Sequence, residues 1–343
     1  MSRTNATPVL LVADIGGTFA RFRQVQGKSA LTDVLTLPRD SAGSLPCLCT
    51  LALRQFRQAV DGVAIAVAAP ISAGRACMTN VGWEVDEASL ADALKLERVL
   101  LINDFAALAL SLPDLDENDV MTIPPAPANG PPTGAAPAHS PQVVFGPGTG
   151  LGVSVLLHID GRLQPIPSEG GHISFAPSSA FEQKVLEHAA AQFERVSWER
   201  ILSGPGLELI DTVSRRDLDG PAEPRNAQQI IAAAQAGACR AAIHSVNCFA
   251  GLLGGFGGDL ALMFRADGGV VISGGVTARI AGLVSLPAIR QRFSRKGRFS
   301  AWLDGLPLSI LTNPNAALLG AARAFAERFP EASGTVKEIN KQT

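Results

Sequence analysis

The feature that most constrains the fold is a pattern that occurs twice: an apolar run, a glycine-rich turn and a second apolar run. The first copy spans residues 9–25 and turns at Gly16 and Gly17, shortly after Asp14. The second copy spans residues 143–157 and turns at residues 146–152. A continuous apolar run is typical of a strand that is covered on both faces. The repetition predicts two related halves.

Other segments extend the pattern into an alternation of strands and helices. Continuous apolar runs predict further buried strands at residues 63–69, 98–104 and 269–272. Helical spacing, or an N-cap residue such as Asp86, predicts helices at residues 45–60, 86–97, 315–329 and over much of 180–251. Strands that alternate with helices predict an α/β fold.

Between Thr122 and Gln142 the composition changes abruptly, because prolines mixed with alanine and glycine dominate the stretch. Proline has a fixed φ and no backbone N–H, so it continues neither a helix nor an interior strand. We expect an exposed, mobile loop near the start of a second domain. We assign this loop no catalytic role.

Composition narrows the class of protein. A chain of 343 residues has room for about two domains, and 47% hydrophobic residues can form a large core. The 29 Lys and Arg nearly balance the 31 Asp and Glu, giving a net charge of −2. This balance argues against a nucleic-acid-binding protein, which normally carries a basic surplus.

The sequence also gives expectations about location. No apolar run approaches the roughly 18 residues that span a bilayer, and the patch at residues 9–12 lacks the flanking features of a signal peptide. The five scattered cysteines are typical of reduced thiols. Cys47 and Cys49 have no second Cys or His pair nearby, which argues against zinc. We expect a cytoplasmic protein.

Glycine-rich turns suit phosphate binding, because glycine reaches positive φ and lets backbone N–H groups approach an anion. Hairpins also use glycine, so each turn taken alone leaves a structural role open. Residues 146–152 do not match the dinucleotide fingerprint, since Leu151 occupies the place of its third glycine. A P-loop ending at residues 27–29 is excluded, because Phe22 stands where its first glycine must be.

Two predicted strands end in acidic residues. Asp14 follows the first strand, where it fits either a Mg²⁺ site or a turn-capping carboxylate. Asn103 and Asp104 end a buried strand where a helix begins. The helix N-terminus favours an ionised Asp104 by about 0.3–1 kcal/mol. This placement suits a general base, and a plain helix cap would give the same pattern.

In this order, the motifs closely resemble those of the bacterial glucokinase family, within the sugar kinase–heat-shock protein–actin superfamily. The matching segments are ADIGGTFAR at residues 13–21, LINDFAAL at 101–108, GPGTGLGV at 146–153, PSEGGH at 167–172, SWERILSGPG at 197–206, SGG at 273–275 and TNPN at 312–315. They span almost the whole chain. The Pro/Ala-rich stretch departs from the family, and the cysteine-rich zinc motif of the related repressor/open-reading-frame/kinase family is absent.

The resemblance implies an architecture and two ligands. It implies two α/β domains of the actin-like ATPase (ribonuclease H-like) fold that flank a cleft. The small domain would comprise residues 1–113 plus 314–343, and the large domain residues 114–313. The implied ligands are ATP with Mg²⁺ and a sugar, and the implied assembly is a homodimer.

The resemblance also implies a reaction and roles for residues. The γ-phosphoryl group of ATP would pass to the 6-hydroxyl of glucose, with Asp104 as the general base. The implied sugar contacts are Asn103, Asp104, Glu169, His172 and Glu199. The implied ATP contacts are Asp14, Gly16, Gly17, Thr18, Gly148, Thr149, Gly150, Gly274 and Gly275, with Asp14 holding Mg²⁺ through water. Without the match, Glu199 would be interpreted as a solvated helical charge, and residues 273–275 as a plain strand–helix turn.

Three alternatives stay open. In the first alternative, the sugar is another hexose, such as mannose, fructose or an amino sugar, because the spacing of residues does not determine the stereochemistry that they recognise. A sugar-sensing regulator without turnover is the second alternative, although we expect no helix-turn-helix segment before the strand at Val9. An actin-like or chaperone-like ATPase is the third, and it gives no reason for the pairing of Glu169 with His172.

Overall fold

The computed structural model describes residues 7–56, 58–78, 82–125, 139–218 and 223–330. Most of the Pro/Ala-rich stretch, residues 126–138, lies outside the described residues, so the expectation of a mobile loop there remains a prediction. The described chain divides into two compact units. The first unit comprises Met1–Leu115 with Pro314–Thr343, and the second comprises Asp116–Asn313.

The described strands are β1 (Val9–Ile15), β2 (Phe19–Gln26), β3 (Ser29–Ala30), β4 (Leu35–Pro38), β5 (Gly62–Val67), β6 (Ile71–Ser72), β7 (Arg75–Met78), β8 (Trp83–Asp86), β9 (Val99–Asn103), β10 (Val120–Thr122), β11 (Gln142–Pro147), β12 (Leu151–Ile159), β13 (Arg162–Ser168), β14 (Val270–Ile272) and β15 (Leu308–Leu311).

The described α-helices are α1 (Leu45–Gln55), α2 (Glu87–Leu94), α3 (Asp104–Ser111), α4 (Ala180–Ala190), α5 (Trp198–Ile201), α6 (Gly204–Leu218), α7 (Ala227–Gln235), α8 (Arg240–Phe264), α9 (Gly275–Ile280), α10 (Leu286–Ser294), α11 (Ser300–Asp304) and α12 (Ala316–Arg328).

The main sheet of the first unit has the strand order β3-β2-β1-β5-β9, and β4 also pairs with β2. β1 and β2 form an antiparallel hairpin, whereas β5 and β9 run parallel to β1. Successive residues of β1 point to opposite faces, as strand geometry requires. Leu10 and Val12 pack with α12, and Leu11 and Ala13 pack with α1 and α2. Helices therefore cover both faces, which explains the continuous apolar run. A smaller sheet, β6-β7-β8, lies in the same unit.

The sheet of the second unit has the order β10-β15-β14-β11-β12-β13. β11 and β12 form an antiparallel hairpin, and β14 and β15 run parallel to β11. The core of this unit includes Phe145 of β11 and Phe256 of α8, whose rings meet edge to face with centroids 5.2 Å apart. Edge-to-face contact is a favoured geometry for aromatic pairs.

Contrary to the expectation that no segment approaches the length needed to span a bilayer, helix α8 is long and apolar enough by length and composition alone. However, 67% of its most apolar window is buried inside the protein. A Cβ added at Gly254 or Gly258 would lie 2.2 Å from a backbone oxygen of Ile289 or Phe293, so α8 packs closely against α10. These contacts identify α8 as a core helix of the second unit.

Several predicted boundaries were wrong. Helix α1 ends at Gln55 rather than at residue 60, because Phe56 is extended. Helix α2 ends at Leu94 rather than near residue 97, because Lys95 takes a left-handed conformation with φ 54°. At the start of the Pro/Ala-rich stretch, Thr122, Pro124 and Pro125 are exposed as expected, but Ile123 is fully buried, and Arg290 donates to its carbonyl oxygen at 2.5 Å. Strands β3, β4, β6–β8, β10, β13 and β15 had not been predicted.

Candidate active site

The carboxyl ends of β1, β5 and β9 lie at one edge of the first sheet, because these strands are parallel and adjacent. Asp14 lies near the end of β1, and Asn103 is the last residue of β9. Asp104 follows as the first residue of α3. The structure therefore brings the predicted base and the predicted Mg²⁺ ligand to the same edge of one sheet.

Short hydrogen bonds hold Asp104 in place. Its Oδ1 accepts from the backbone N–H of Phe105 at 2.9 Å and from Nδ2 of Asn103 at 3.0 Å. The cap of α3 is Asn103, whose Oδ1 accepts from the backbone N–H of Ala106 at 3.0 Å. Because a neighbour performs the capping, the Asp104 carboxylate is not needed as the N-cap.

The surroundings of Asp104 suit a group that exchanges a proton near neutral pH. Burial and the nearby charge of Asp14 raise the pKa of Asp104 to about 7, although hydrogen bonds from Phe105 and Asn103 act in the opposite direction. Burial also raises the pKa of Asp14, and the charge and hydrogen bond of Arg21 oppose that rise. A general base works best when its pKa lies near the operating pH.

Arg21 is a site residue to which the sequence had given no role. Its Nη1 donates to Oδ2 of Asp14 at 3.1 Å, and the Asp14 side chain is only 16% exposed. Asp14 and Arg21 are register partners across the β1–β2 hairpin. The hairpin register was the signal that could have found this pair, because residues opposite each other in a sheet have neighbouring side chains.

The turn between β1 and β2 carries three predicted ATP contacts. Gly16 donates its N–H to the Phe19 carbonyl at 3.0 Å, and Arg39 Nε donates to the Gly17 carbonyl at 2.8 Å. Gly17 and Thr18 are exposed. The tight turn therefore presents backbone and a hydroxyl to solvent close to Asp14.

In the second unit, the turn after β11 and the turn after β14 are neighbours. Gly148 donates its N–H to the Gly150 carbonyl at 2.8 Å, and both Gly148 and Thr149 are exposed. Gly274 has φ 97°, and a Cβ added there would lie 2.3 Å from the Pro147 carbonyl oxygen. Gly275, the first residue of α9, has open space at the Cβ position. The predicted ATP contacts of this unit therefore lie on adjoining turns.

The predicted reason for the glycines was wrong in part. Gly16, Gly17, Gly148 and Gly150 do not have positive φ, and of the predicted ATP contacts only Gly274 does. A Cβ added at Gly148 would meet nothing within 4 Å, which leaves that side of the turn open. These glycines therefore serve close approach and open space rather than left-handed backbone.

Three of the predicted sugar contacts converge in the second unit. His172 Nε2 lies 3.8 Å from Glu169 Oε2 and 3.8 Å from Glu199 Oε1. Glu169 is 76% exposed, His172 is 52% exposed and Glu199 is 27% exposed, so the cluster can reach a ligand from solvent. Side chains from two separate segments of the chain thus form one polar locus.

Neighbouring groups orient this cluster. The backbone N–H of Leu151 donates to Glu199 Oε2 at 2.9 Å, and a Cβ at Gly150 would lie 2.6 Å from the same oxygen. Arg195 Nη1 donates to the His172 carbonyl at 2.6 Å. The sequence had assigned no role to Leu151 or Arg195, since both contacts join separate segments. Glu199 therefore links the sugar cluster to the glycine turn.

The described side chains would bind a metal ion only together with oxygen atoms of a bound ligand. Within the described ranges, no group of three or more His, Cys, Asp or Glu side chains could hold a metal ion alone. Mg²⁺ is usually bound through one or two carboxylates plus substrate phosphates. The carboxylate of Asp14 is a hard oxygen ligand of this kind, and Arg21 engages only its Oδ2.

Comparison with known proteins identifies a family that matches most of the chain. The model of the family described as Glucokinase matches residues 11–328. The bifunctional protein glk of Burkholderia lata is 37% identical over 330 residues, which are 94% of this chain and 49% of that protein. The chain thus spans about half the length of this curated relative. The glucokinase of Aromatoleum aromaticum is 37% identical over 328 residues, 95% of this chain and 97% of that one.

Solved structures agree on the fold. A crystal structure of glucokinase from an Antarctic psychrotroph is 32% identical, covers 94% of this chain and 99% of that chain, and has a TM-score of 0.79. The similarity confirms the predicted α/β, actin-like ATPase fold. The family match extends over nearly the whole chain, and this chain belongs to the glucokinase family.

Proposed function

We propose that the protein is a glucokinase, which transfers the γ-phosphoryl group of ATP to the 6-hydroxyl of glucose and releases glucose 6-phosphate and ADP. The observation that carries the proposal is Asp104 at the carboxyl end of β9, with its pKa raised to about 7. Membership of the glucokinase family supports the same reaction.

Asp104 is the general base of this proposal. As the bond forms between the 6-oxygen of glucose and the γ-phosphorus, the hydroxyl proton passes to the Asp104 carboxylate. The bond between the γ-phosphorus and the bridging oxygen breaks, and its electron pair leaves with ADP. Asn103 and the Phe105 N–H keep Asp104 oriented through Oδ1. General bases typically contribute about 10²–10⁴-fold to such rates.

The proposal assigns sugar recognition to Asn103, Asp104, Glu169, His172 and Glu199. Each sugar hydroxyl both donates and accepts hydrogen bonds, and carboxylates and an imidazole match that capacity. A site built to pair each hydroxyl rejects an isomer that leaves polar groups unpaired. The convergence of Glu169, His172 and Glu199 within 3.8 Å contacts supports this assignment.

The proposal assigns the polyphosphate of ATP to the glycine turns at Gly16–Thr18, Gly148–Gly150 and Gly274–Gly275. Exposed backbone at these turns offers N–H groups to an anion. Asp14 would hold Mg²⁺, and when bound the ion neutralises phosphate charge during transfer. Arg21 keeps the Asp14 carboxylate oriented.

We also propose that the enzyme is a cytoplasmic homodimer, as the family resemblance implies. The free cysteines of the described residues support a reducing compartment. Analytical ultracentrifugation tests the assembly: a species of twice the chain mass is expected, and a monomer at all concentrations would contradict it.

The test of the reaction is ADP production from MgATP with glucose, mannose, fructose and glucosamine offered separately. We expect the highest kcat/KM with glucose, and we expect glucose 6-phosphate as the product. A higher kcat/KM with another hexose would support phosphoryl transfer from ATP but contradict glucose as the preferred substrate. A folded protein that binds a sugar without turnover would be a regulator rather than a kinase.

A further inference from the structure

A cavity of about 630 Å³ lies in the first unit. It is lined by the amino end of β1, the carboxyl end of β2 and one flank of α12, so it lies at the end of β1 opposite to Asp14. Pockets that bind small molecules usually measure about 300–1,000 Å³. The size of this cavity therefore fits a small ligand, and no residue assigned to ATP or sugar lines it.

The inner wall of the cavity is apolar. Leu10, Val25 and Leu318 line it and are at most 5% exposed, while Leu319 and Ala322 of α12 are only partly buried. Burial of apolar ligand surface against such a wall removes that surface from water and stabilises the complex. The wall therefore favours a ligand with an apolar body.

Charged side chains complete the lining. The cations are Arg23, Lys28 and Arg323, against the carboxylates Asp114 and Glu327. Lys28 Nζ lies 2.8 Å from Asp114 Oδ1, and Arg323 Nε donates to Asp114 Oδ2 at 3.0 Å. Two cations thus share one carboxylate.

Three cations against two carboxylates leave one net positive charge in the lining for an incoming anion. The Lys28 side chain is 83% exposed, so solvent screens its ion pair with Asp114 and keeps that pair weak. Arg23 forms no ion pair within the described ranges, and its Nε donates to the Thr32 carbonyl at 3.0 Å. An anion can therefore approach Lys28 and Arg23 at little cost in lost ion pairs, while Arg323 stays paired with Asp114 through two donors.

We propose that this cavity binds a small amphipathic anion, with its apolar body against Leu10, Val25 and Leu318 and its anionic group near Lys28 and Arg323. The site is separate from the proposed reaction and does not rest on it. One wall of the cavity is α12, which packs against α3, the helix that begins at Asp104. The packing is close, because a Cβ added at Gly320 of α12 would lie 1.6 Å from the Ala107 carbonyl oxygen of α3. An occupant would therefore contact the helix that supports α3.

The test uses two fluorescent probes with the same aromatic body. One is 8-anilinonaphthalene-1-sulfonate, which is anionic, and the other is N-phenyl-1-naphthylamine, which is uncharged. We expect saturable binding of one sulfonate probe per chain, with a Kd at least about fivefold lower than that of the neutral probe. Binding should persist at saturating glucose and MgATP. Displacement by MgATP would place the probe at the nucleotide site and overturn the proposal.

Three variants locate the probe. Lys28→Glu should raise the Kd of the sulfonate probe at least about fivefold while leaving that of the neutral probe within about twofold. Ala322→Trp should fill the cavity and abolish binding of both probes, with circular dichroism checking the fold. Lys95→Glu makes the same charge change at an exposed lysine outside the cavity and should leave both Kd values unchanged. Absence of saturable binding, or sulfonate binding unaffected by Lys28→Glu, would contradict the proposal.

Discussion

The two units share one strand arrangement and differ in what they place on it. In the first unit the order is β3-β2-β1-β5-β9, and in the second it is β13-β12-β11-β14-β15, with β10 added at the edge. Each contains an antiparallel hairpin followed by two parallel strands. The related halves predicted from the two glycine turns therefore have the same sheet topology.

The difference lies in the burial of the acidic groups. The first unit holds Asp14 and Asp104 where burial raises the pKa of both carboxyls. The second unit holds Glu169 and His172 with more than half of each side chain exposed. A buried carboxyl with a shifted pKa suits proton transfer, whereas exposed polar groups suit hydrogen bonds to a ligand. In the proposed function, the first unit would therefore carry the chemical step and the second unit most of the sugar recognition.

The largest expected effect is on the chemical step. Asp104→Ala should lower kcat for glucose phosphorylation by about 10²–10⁴-fold, because it removes the proposed general base. Steady-state kinetics measure the loss, and circular dichroism checks that the variant is folded. The control is Asp92→Ala, which removes an exposed carboxylate from α2 in the same unit. Near-normal kcat in Asp104→Ala would contradict the proposal that Asp104 is the general base.

A substitution in the sugar cluster of the second unit should weaken glucose binding more than it slows the chemical step. Glu199→Gln keeps an oxygen that accepts from the Leu151 N–H but removes the charge. Hydrogen bonds to charged groups contribute about 1–1.5 kcal/mol more than those to neutral groups, so KM for glucose should rise by about 5–10-fold with a smaller change in kcat. Glu194→Gln, at an exposed position nearby, is the matched control. A loss confined to kcat would contradict the assignment of sugar binding to the second unit and of the chemical step to the first.

The raised pKa of Asp104 also predicts a change in stability. The unfolded chain loses this proton near the usual pKa of 3.8, while the folded protein keeps it until about 7. Ionisation therefore costs stability as pH rises from about 4 to 7, and Asp104→Asn removes that cost. We expect Asp104→Asn to unfold with a free energy higher by on the order of 1–3 kcal/mol at pH 8.

Urea unfolding at several pH values measures this gain. It should shrink toward zero as the pH falls to about 3, below the unfolded pKa of 3.8, where both states of the unaltered protein largely keep the proton. A stability difference that did not change with pH would show that burial does not shift the Asp104 carboxyl.

The smallest expected effect compares two glycines of one turn. Gly150→Ala places a methyl group 2.6 Å from Glu199 Oε2, so the carboxylate must move and KM for glucose should rise several-fold. Gly148→Ala places its methyl group in open space and should leave KM for glucose unchanged. Equal effects of the two substitutions on that KM would remove the link between the glycine turn and the sugar cluster.

The sequence located the acidic and glycine-rich turns because apolar runs determine where buried strands end. Asp14 and Asp104 follow such runs directly. Helix ends were harder to predict, since α2 stops where Lys95 takes a left-handed conformation that its side chain does not specify. Glycine was expected at positive φ, yet Gly150 instead makes room for a carboxylate from a distant segment.

Polar contacts between segments that are distant along the chain could not be predicted from the sequence, because no local pattern determines them. Arg290 is almost fully buried and donates to the carbonyl oxygens of Pro124 and Leu306, which lie on separate segments. No local pattern indicates such a pairing. Arg21 differs, because the register of a short hairpin could have placed it opposite Asp14. Contacts within one hairpin can be predicted, and those that join distant segments need the fold.

The most direct measurement is the pH dependence of kcat/KM for glucose between pH 5.5 and 9, compared for the unaltered protein and Glu199→Gln. We predict that both lose activity about tenfold per pH unit below an apparent pKa near 7, since both retain Asp104 with its pKa of about 7. A profile that stays flat through pH 6, or an acidic limb that disappears in Glu199→Gln, would contradict the assignment of the proton transfer to Asp104.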